Sequence, residues 1–271
     1  MNTNDTFINI YKYAGTASLF ELTLGQPLDR IKIEHQSNNL NNKLSNKWYH
    51  NRSLNYWYAG NFTSIIQRCG IYLPMIYISN NMFDKISVKA TLTPTQELLT
   101  KPLFVSGVIT PYVCFFEGIK TAQQKLVYPV TRLSDIIKFN VVTGNTSRLF
   151  ASFIPTYGRE YFFIMGMCSL QPYLLDIMDN WILSSCASAF ISQTISQPLD
   201  VIKTKKELFP DKTLFGIKKM ISIDIAHLNF TGKVTYFYQG WIARTTRGAW
   251  TFFCMNYIVN KLSTYNDTEY V

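Results

Sequence analysis

The sequence predicts an all-α membrane protein: six transmembrane helices in three pseudo-symmetric two-helix repeats around a central cavity. Three observations predict it. Charged residues make up 16% of the 271-residue chain, against about 25% in a typical soluble domain. Four windows, 69–83, 102–116, 161–175 and 181–199, carry no charge, and the last approaches the length that spans a hydrocarbon core. Helices facing lipid on one side and a wet cavity on the other would show such interrupted hydropathy. Finally, one phrase recurs: GQPLDRIKIEHQ at 25–36 and SQPLDVIKTKKE at 196–207, with a weaker FFEGIKTAQQ at 115–124 between them.

The repeat has a phase. Asp29, Glu117 and Asp200 stand 88 and 83 residues apart, close to one third of the chain, and each is followed three residues later by a base, Lys32, Lys120 or Lys203. An aromatic marker follows each phrase and opens a new apolar segment. The first expected helix, 7–37, has Ala14 and Ser18 at four-residue spacing and ends in the first phrase. The second, 60–83, opens after Tyr58-Ala59-Gly60. The third, 98–125, ends in the second phrase, and the fourth, 152–177, opens after Phe150-Ala151-Ser152. The fifth, 181–208, carries Ser184, Ser188 and Ser192, a spacing that permits close helix approach. The sixth, 240–263, opens after Tyr238-Gln239-Gly240.

Polar stretches at 38–57, 126–150 and 209–239 join the helices of each repeat. Within them LSDIIKF (133–139) and LFGIKKMI (214–221) are amphipathic and are expected along the membrane surface. The links 84–97 and 178–180 are shorter, which makes their neighbours antiparallel hairpins. The repeats therefore divide at 1–97, 98–180 and 181–271.

Composition removes several function classes. The net charge of +9 fits basic loops near anionic phospholipid, or an anionic ligand. No Lys/Arg cluster with interleaved aromatics occurs, so no nucleic acid is expected. Cys69, Cys114, Cys168, Cys186 and Cys254 form no CxxC pair and no disulfide framework. The three histidines are scattered, and no metal or other cofactor is expected. The segment MNTNDTFINIYKY lacks a basic n-region and arginine, and is expected to be neither a signal peptide nor a transit peptide. No G-x-S-x-G, P-loop or H-E-x-x-H occurs, so no enzyme is expected.

The triplicated phrase resembles the signature of the mitochondrial carriers, Pro-x-[Asp/Glu]-x-x-[Lys/Arg]-x-[Lys/Arg] on odd helices with an aromatic–base–glycine marker about 30 residues on. The resemblance covers nearly the whole chain. Its matches are Pro27, Asp29 and Lys32, then Glu117 and Lys120, then Pro198, Asp200, Lys203 and Lys205. Gln36 and Gln124 stand where the family has bracing glutamines, and Glu207 takes that place in the third repeat. The departures make it a divergent member. Phe115 replaces the second proline, Glu34 and Ala122 replace two of the second bases, and Ala59, Ala151 and Gln239 replace the marker's base.

The resemblance implies a transporter of small metabolites in the mitochondrial inner membrane, multi-pass and monomeric, working by alternating access. In the family arrangement Asp29 meets Lys120, Glu117 meets Lys203 and Asp200 meets Lys32, closing a matrix-side gate, with Pro27 and Pro198 kinking the helices inward. Exchanging Asp29 with Lys120 should then partly rescue a broken gate. The opposite gate has no clean counterpart in ISNNMFDK (78–85), LQPYLLDI (170–177) or NYIVNKL (256–262).

Family substrate contacts carry over to Gln67-Arg68, Arg159-Glu160 and Arg247-Gly248, with Arg244 one turn before Arg247. An arginine beside an acid resembles carriers of amino-acid-like or zwitterionic solutes, which need both charges. A nucleotide is the second expectation, and a carrier-fold scaffold or receptor without transport is the competing class.

Overall fold

A computed structural model gives the structure of the chain. It describes residues 22–23, 25–29, 31–32, 61–67, 73–90, 92–125 and 150–268. These form helices and no strand. In chain order the helices are α1 (Asn61–Ile65), α2 (Leu73–Ala90), α3 (Pro94–Lys125), α4 (Phe153–Met165), α5 (Gln171–Met178), α6 (Trp181–Leu208), α7 (Leu214–Ala226), α8 (Phe230–Phe237) and α9 (Trp241–Thr268). A π-helical turn, Gly166–Leu170, joins α4 to α5. Residues 25–29 and 31–32 are helical as well.

The boundaries follow local chemistry. The 84–97 link is shorter than its sequence implies, because α2 continues to Ala90 and α3 starts at Pro94. Thr93 and Gln96 cap α3 reciprocally: the Thr93 amide donates to Gln96 Oε1 at 3.0 Å, and the Gln96 amide donates to Thr93 Oγ1 at 3.4 Å. At the other hairpin Asp179 ends α5 in the left-handed region (φ 46°), and Asn180 caps α6 by accepting from the Ile182 and Leu183 amides. The π turn ends two residues before Pro172, which has no N–H to give the preceding turn. The polar link 209–239 contains two helices. The amphipathic pattern at 214–221 is the core of α7, whereas α8 was not expected from the sequence. LSDIIKF (133–139) lies outside the described residues.

Two helical stretches, Thr95–Lys120 and Phe153–Met178, are long and apolar enough to cross a membrane. Helix α6 runs through the middle of the packing, against α3, α4, α5, α7, α8 and α9, while α3 packs on α2 and α4. Its serines at 184, 188, 192 and 196 are fully buried. Close approach is built in: a Cβ on Gly166 would meet Ser192 Cβ at 2.6 Å. Phe163 and Phe252 fill the neighbouring space edge to face at 5.1 Å.

Polarity is inverted relative to a water-soluble core. Among the described residues, buried polar and charged side chains outnumber buried apolar ones, while Ile154 (65% exposed), Ile177 (63%) and Leu183 (57%) point outward. In a soluble domain the informative oddities are buried polar groups and large exposed apolar patches; here both occur together.

Candidate functional site

The phrases place acid and base one turn apart, so both lie on the inward face of a helix. The structure then pairs them between phrases. Lys32 Nζ lies 2.9 Å from Asp200 Oδ2, Lys203 Nζ lies 2.9 Å from Glu117 Oε2, and Lys120 Nζ contacts Asp29 Oδ2. Each acid meets a base from another phrase, and no side chain in the three pairs is more than 14% exposed. In the third phrase Glu207 occupies the bracing position: it pairs with Lys203 at 2.9 Å and accepts from Ser152 Oγ at 3.1 Å. Gln36 lies outside the described residues, and so does the side chain of Gln124.

A polar cavity opens beside this ring. Of the residues expected at the substrate site, Gln67, Arg159, Glu160, Arg244, Arg247 and Gly248 line it, together with Lys32 and Glu117 of the ring. Arg68 lies outside the described residues. A Cβ on Gly248 would meet the Gln193 side chain at 2.9 Å, so only glycine leaves Gln193 its place in the wall.

The arginines are not separate from the ring. Arg159 Nη2 lies 2.7 Å from Glu117 Oε2 and contacts Glu160, while Nη1 lies 3.4 Å from Asp200 Oδ1. Arg247 Nη1 contacts Asp29 Oδ1. Arg244 donates to Ser196 Oγ at 2.8 Å and Gln197 Oε1 at 3.0 Å, with Asp200 at 4.0 Å. Spacing alone does not reveal this. Family position puts the arginines at the site and the motif puts the acids in the ring, but the link between Arg247 and Asp29 spans 218 residues of sequence.

The residue just before each phrase's proline position is a further participant that sequence reading passes over. Gln26 Nε2 donates to Ser64 Oγ at 2.6 Å, and Gln197 Nε2 donates to the Gln239 carbonyl at 2.9 Å. In the second phrase Cys114 holds that place, 3.5 Å from Ser152 Oγ. Each therefore reaches the start of the segment that its marker opens. The shared QP of the two strong copies is the available signal.

The marker itself acquires a physical role. Pro198 cannot donate to the carbonyl of Thr194, four residues before it. That carbonyl accepts instead from Tyr238 Oη at 3.4 Å, and Trp241 Nε1 donates to Thr194 Oγ1 at 3.0 Å. Phrases with proline, at 27 and 198, are followed by markers with tyrosine, at 58 and 238; the phrase with Phe115 is followed by Phe150. Without a proline no carbonyl is orphaned, and Phe115 and Phe150 are ring neighbours at 6.0 Å instead. Gly240, the last marker position, has φ 73°, and a Cβ there would lie 3.1 Å from the Lys32 backbone. Glycine lets the marker close against the first phrase.

The arrangement is a polar cavity whose arginines share buried carboxylates with the three ion pairs. It can bind an anionic group and couple that binding to the integrity of the ring. No protein-family model matches the chain, and no curated protein matches it at a significant level.

Proposed function

We propose that the chain is a transmembrane transporter of a small metabolite, built like a divergent mitochondrial carrier. Six helices would form three repeats, 1–97, 98–180 and 181–271, in one integrated domain of the mitochondrial inner membrane, acting as a monomer without a cofactor. Asp29, Lys32, Glu117, Lys120, Asp200 and Lys203 form the gate that closes the matrix side. Gln67, Arg68, Arg159, Glu160, Arg244, Arg247 and Gly248 form the substrate site, and the solute is amino-acid-like or zwitterionic.

One observation carries the proposal: three buried ion pairs join the three phrases cyclically beside a polar cavity, inside a bundle with an apolar exterior. Buried charges are costly to a fold, and a hydrophobic replacement is often as stable. Six of them at equivalent positions favour a role in function over one in stability. Two unit charges about 4 Å apart attract by on the order of 4 kcal/mol at an effective dielectric of 20, and burial offsets much of that, so such pairs can hold a gate shut yet be opened by a bound solute.

The test is uptake into liposomes reconstituted with purified protein, with amino acids, nucleotides and keto acids presented in separate batches. Saturable uptake of amino acids, abolished in a folded Arg244→Gln variant, is the expected outcome. Uptake of nucleotides alone would replace the substrate class. No uptake of any class by folded, inserted protein would replace transport with a scaffold or receptor role.

A further inference from the structure

We propose that Gln193 of α6 reads a carboxamide on the solute and so determines which solutes the cavity accepts. This rests on the substrate site proposed above. It adds a residue outside the positions that the resemblance supplies, and it names the neutral group that this residue takes.

The charged side chains of the cavity wall are already engaged. Lys32 pairs with Asp200, Glu117 with Lys203 and Arg159, Glu160 with Arg159, and Arg247 with Asp29, while Arg244 donates to Ser196 and Gln197. Gln193 differs from them. It lines the cavity and is only 4% exposed. Its main-chain carbonyl accepts from Arg244 Nη1 at 3.4 Å and from Ser196 Oγ at 3.5 Å, but its side-chain amide has no hydrogen bond to any described residue. The Gln67 amide, in the same lining, is alike. Buried polar groups are nearly always hydrogen-bonded, and each exception calls for a reason.

The fold makes room for this amide without using it. The side chain lies against Gly248 of α9, where a Cβ would meet Gln193 Cγ at 2.9 Å and Nε2 at 3.1 Å. What the glycine preserves is the place of an amide whose hydrogen-bonding capacity is left for whatever enters the cavity.

The chemistry of that amide selects the group. It presents a donor and an acceptor side by side. A ligand carboxamide answers both, donating an N–H to Oε1 and accepting from Nε2 on its carbonyl. A carboxylate has acceptors alone, so one of its oxygens would face Oε1 with no proton between them. It would also compete with Asp29, Glu117 and Asp200 for the arginines, whereas an amide needs none of them. An ammonium only donates and leaves Nε2 unanswered. Away from bulk water an unanswered polar group is costly, and that cost is how a hydrogen-bonding pocket rejects a near-isostere.

Purified full-length protein in detergent would be titrated by calorimetry and thermal shift with three amide–acid pairs: L-glutamine and L-glutamate, L-asparagine and L-aspartate, nicotinamide and nicotinate. At least one amide should bind about 10-fold or more tightly than its acid. Gln193→Met keeps the length of the side chain and removes its donor and acceptor. The preference should fall below about 3-fold through weaker amide binding, with the melting temperature of the ligand-free protein unchanged, because the amide holds nothing in the chain. Gln193→Asn keeps an amide and should retain part of the preference. Gly248→Ala crowds the same amide from α9 and reads the same loss where Gln193→Met yields too little folded protein. Acids bound as tightly as their amides by wild type, no binding of any probe, a preference that survives these substitutions, or one lost only along with a lowered ligand-free melting temperature overturns the proposal. Uptake in liposomes is scored separately. Uptake without an amide preference overturns the role of Gln193 and leaves transport standing; a preference that depends on Gln193, without uptake, does the reverse.

Discussion

At Asp29 one carboxylate serves two cations, Lys120 and Arg247. Glu117 likewise serves Lys203 and Arg159, and Asp200 serves Lys32 with Arg159 and Arg244 nearby. This bears on the expectation, drawn from pairs alone, that exchanging Asp29 with Lys120 partly rescues the gate. The exchange would set a lysine at 29 against Arg247, a buried like-charge contact. The double variant Asp29→Lys/Lys120→Asp should therefore melt no higher than Asp29→Asn, each losing about 3–5 kcal/mol. Adding Arg247→Gln to the exchange should recover much of that loss. A melting series in detergent tests it, and an exchange that rescues by itself would show that Arg247 does not hold Asp29. The phrases were legible because acid and base share a helical turn and the turns share a phase, and the partner of each acid was expected from the resemblance to the carriers alone. The arginines' second role was not, because spacing places residues on faces and says nothing of which distant face an acid will meet. A second residue-scale test concerns Tyr236, which donates to Asp224 Oδ2 at 2.9 Å, with Lys205 3.5 Å from the same oxygen. Burial, and then this hydrogen bond, push the Tyr236 phenol above its usual value of 10.0. The folded state holds the proton more tightly than the unfolded one. The contribution is therefore complete below about pH 10 and is lost as pH climbs toward the folded value. Tyr236→Phe should cost about 1 kcal/mol at neutral pH and flatten the alkaline decline in melting temperature; an unchanged alkaline slope would separate Tyr236 from it.

At the scale of elements, each proline in a helix raises the question of where its orphaned carbonyl turns. In α3 Pro102 frees the Leu98 carbonyl, which accepts from Ser169 Oγ at 3.2 Å. In α6 Pro198 frees the Thr194 carbonyl for Tyr238. The marker thus fastens the entry of α9 to the middle of α6, with Gln197 holding the Gln239 carbonyl alongside. A double-mutant cycle measures the fastening. Tyr238→Phe alone should cost about 1 kcal/mol. It should cost little in a Pro198→Ala background, where the new backbone amide at that position can serve the Thr194 carbonyl itself. Equal costs in both backgrounds would detach Tyr238 from the proline. From residue 98 on, helix positions were largely readable from charge-free runs and markers, while most of the expected first helix, 7–37, lies outside the described residues. Two features were not readable. The α2–α3 link was overestimated because Asp84 and Lys85 suggest a helix end, yet Asp84 stays in α2 and pairs with Lys101 of α3 at 2.8 Å. Helix α8 escaped because its burial rests on Tyr236 packing with Val201, Ile217 and Ile221, contacts made by other elements.

For the whole molecule, the question is which end of the cavity is shut. The three ring pairs are all formed together, with Arg159 and Arg247 drawn into them, while Asp84–Lys101 is a part-buried tie between the neighbouring helices α2 and α3. A transporter in this state should admit solutes from the side opposite the ring alone. Thr251 lines the cavity and is buried, so a cysteine there reports access. In proteoliposomes of one orientation, with the native cysteines replaced, a membrane-impermeant thiol reagent should modify Thr251→Cys from one face only. Neutralising Asp200 as well leaves Lys32 and Arg159 without the most deeply buried acid of the ring. Asp200→Asn should therefore open a second route, and labelling should appear from both faces. The rate from the first face should change little, because Asp200 lies at the closed end rather than along the open path. Labelling from both faces without the ring mutation would mean that the pairs do not seal the cavity, and labelling from neither would make it a closed structural core. One-sided access that becomes two-sided on losing a single carboxylate is what a gate requires and what a scaffold has no physical reason to show.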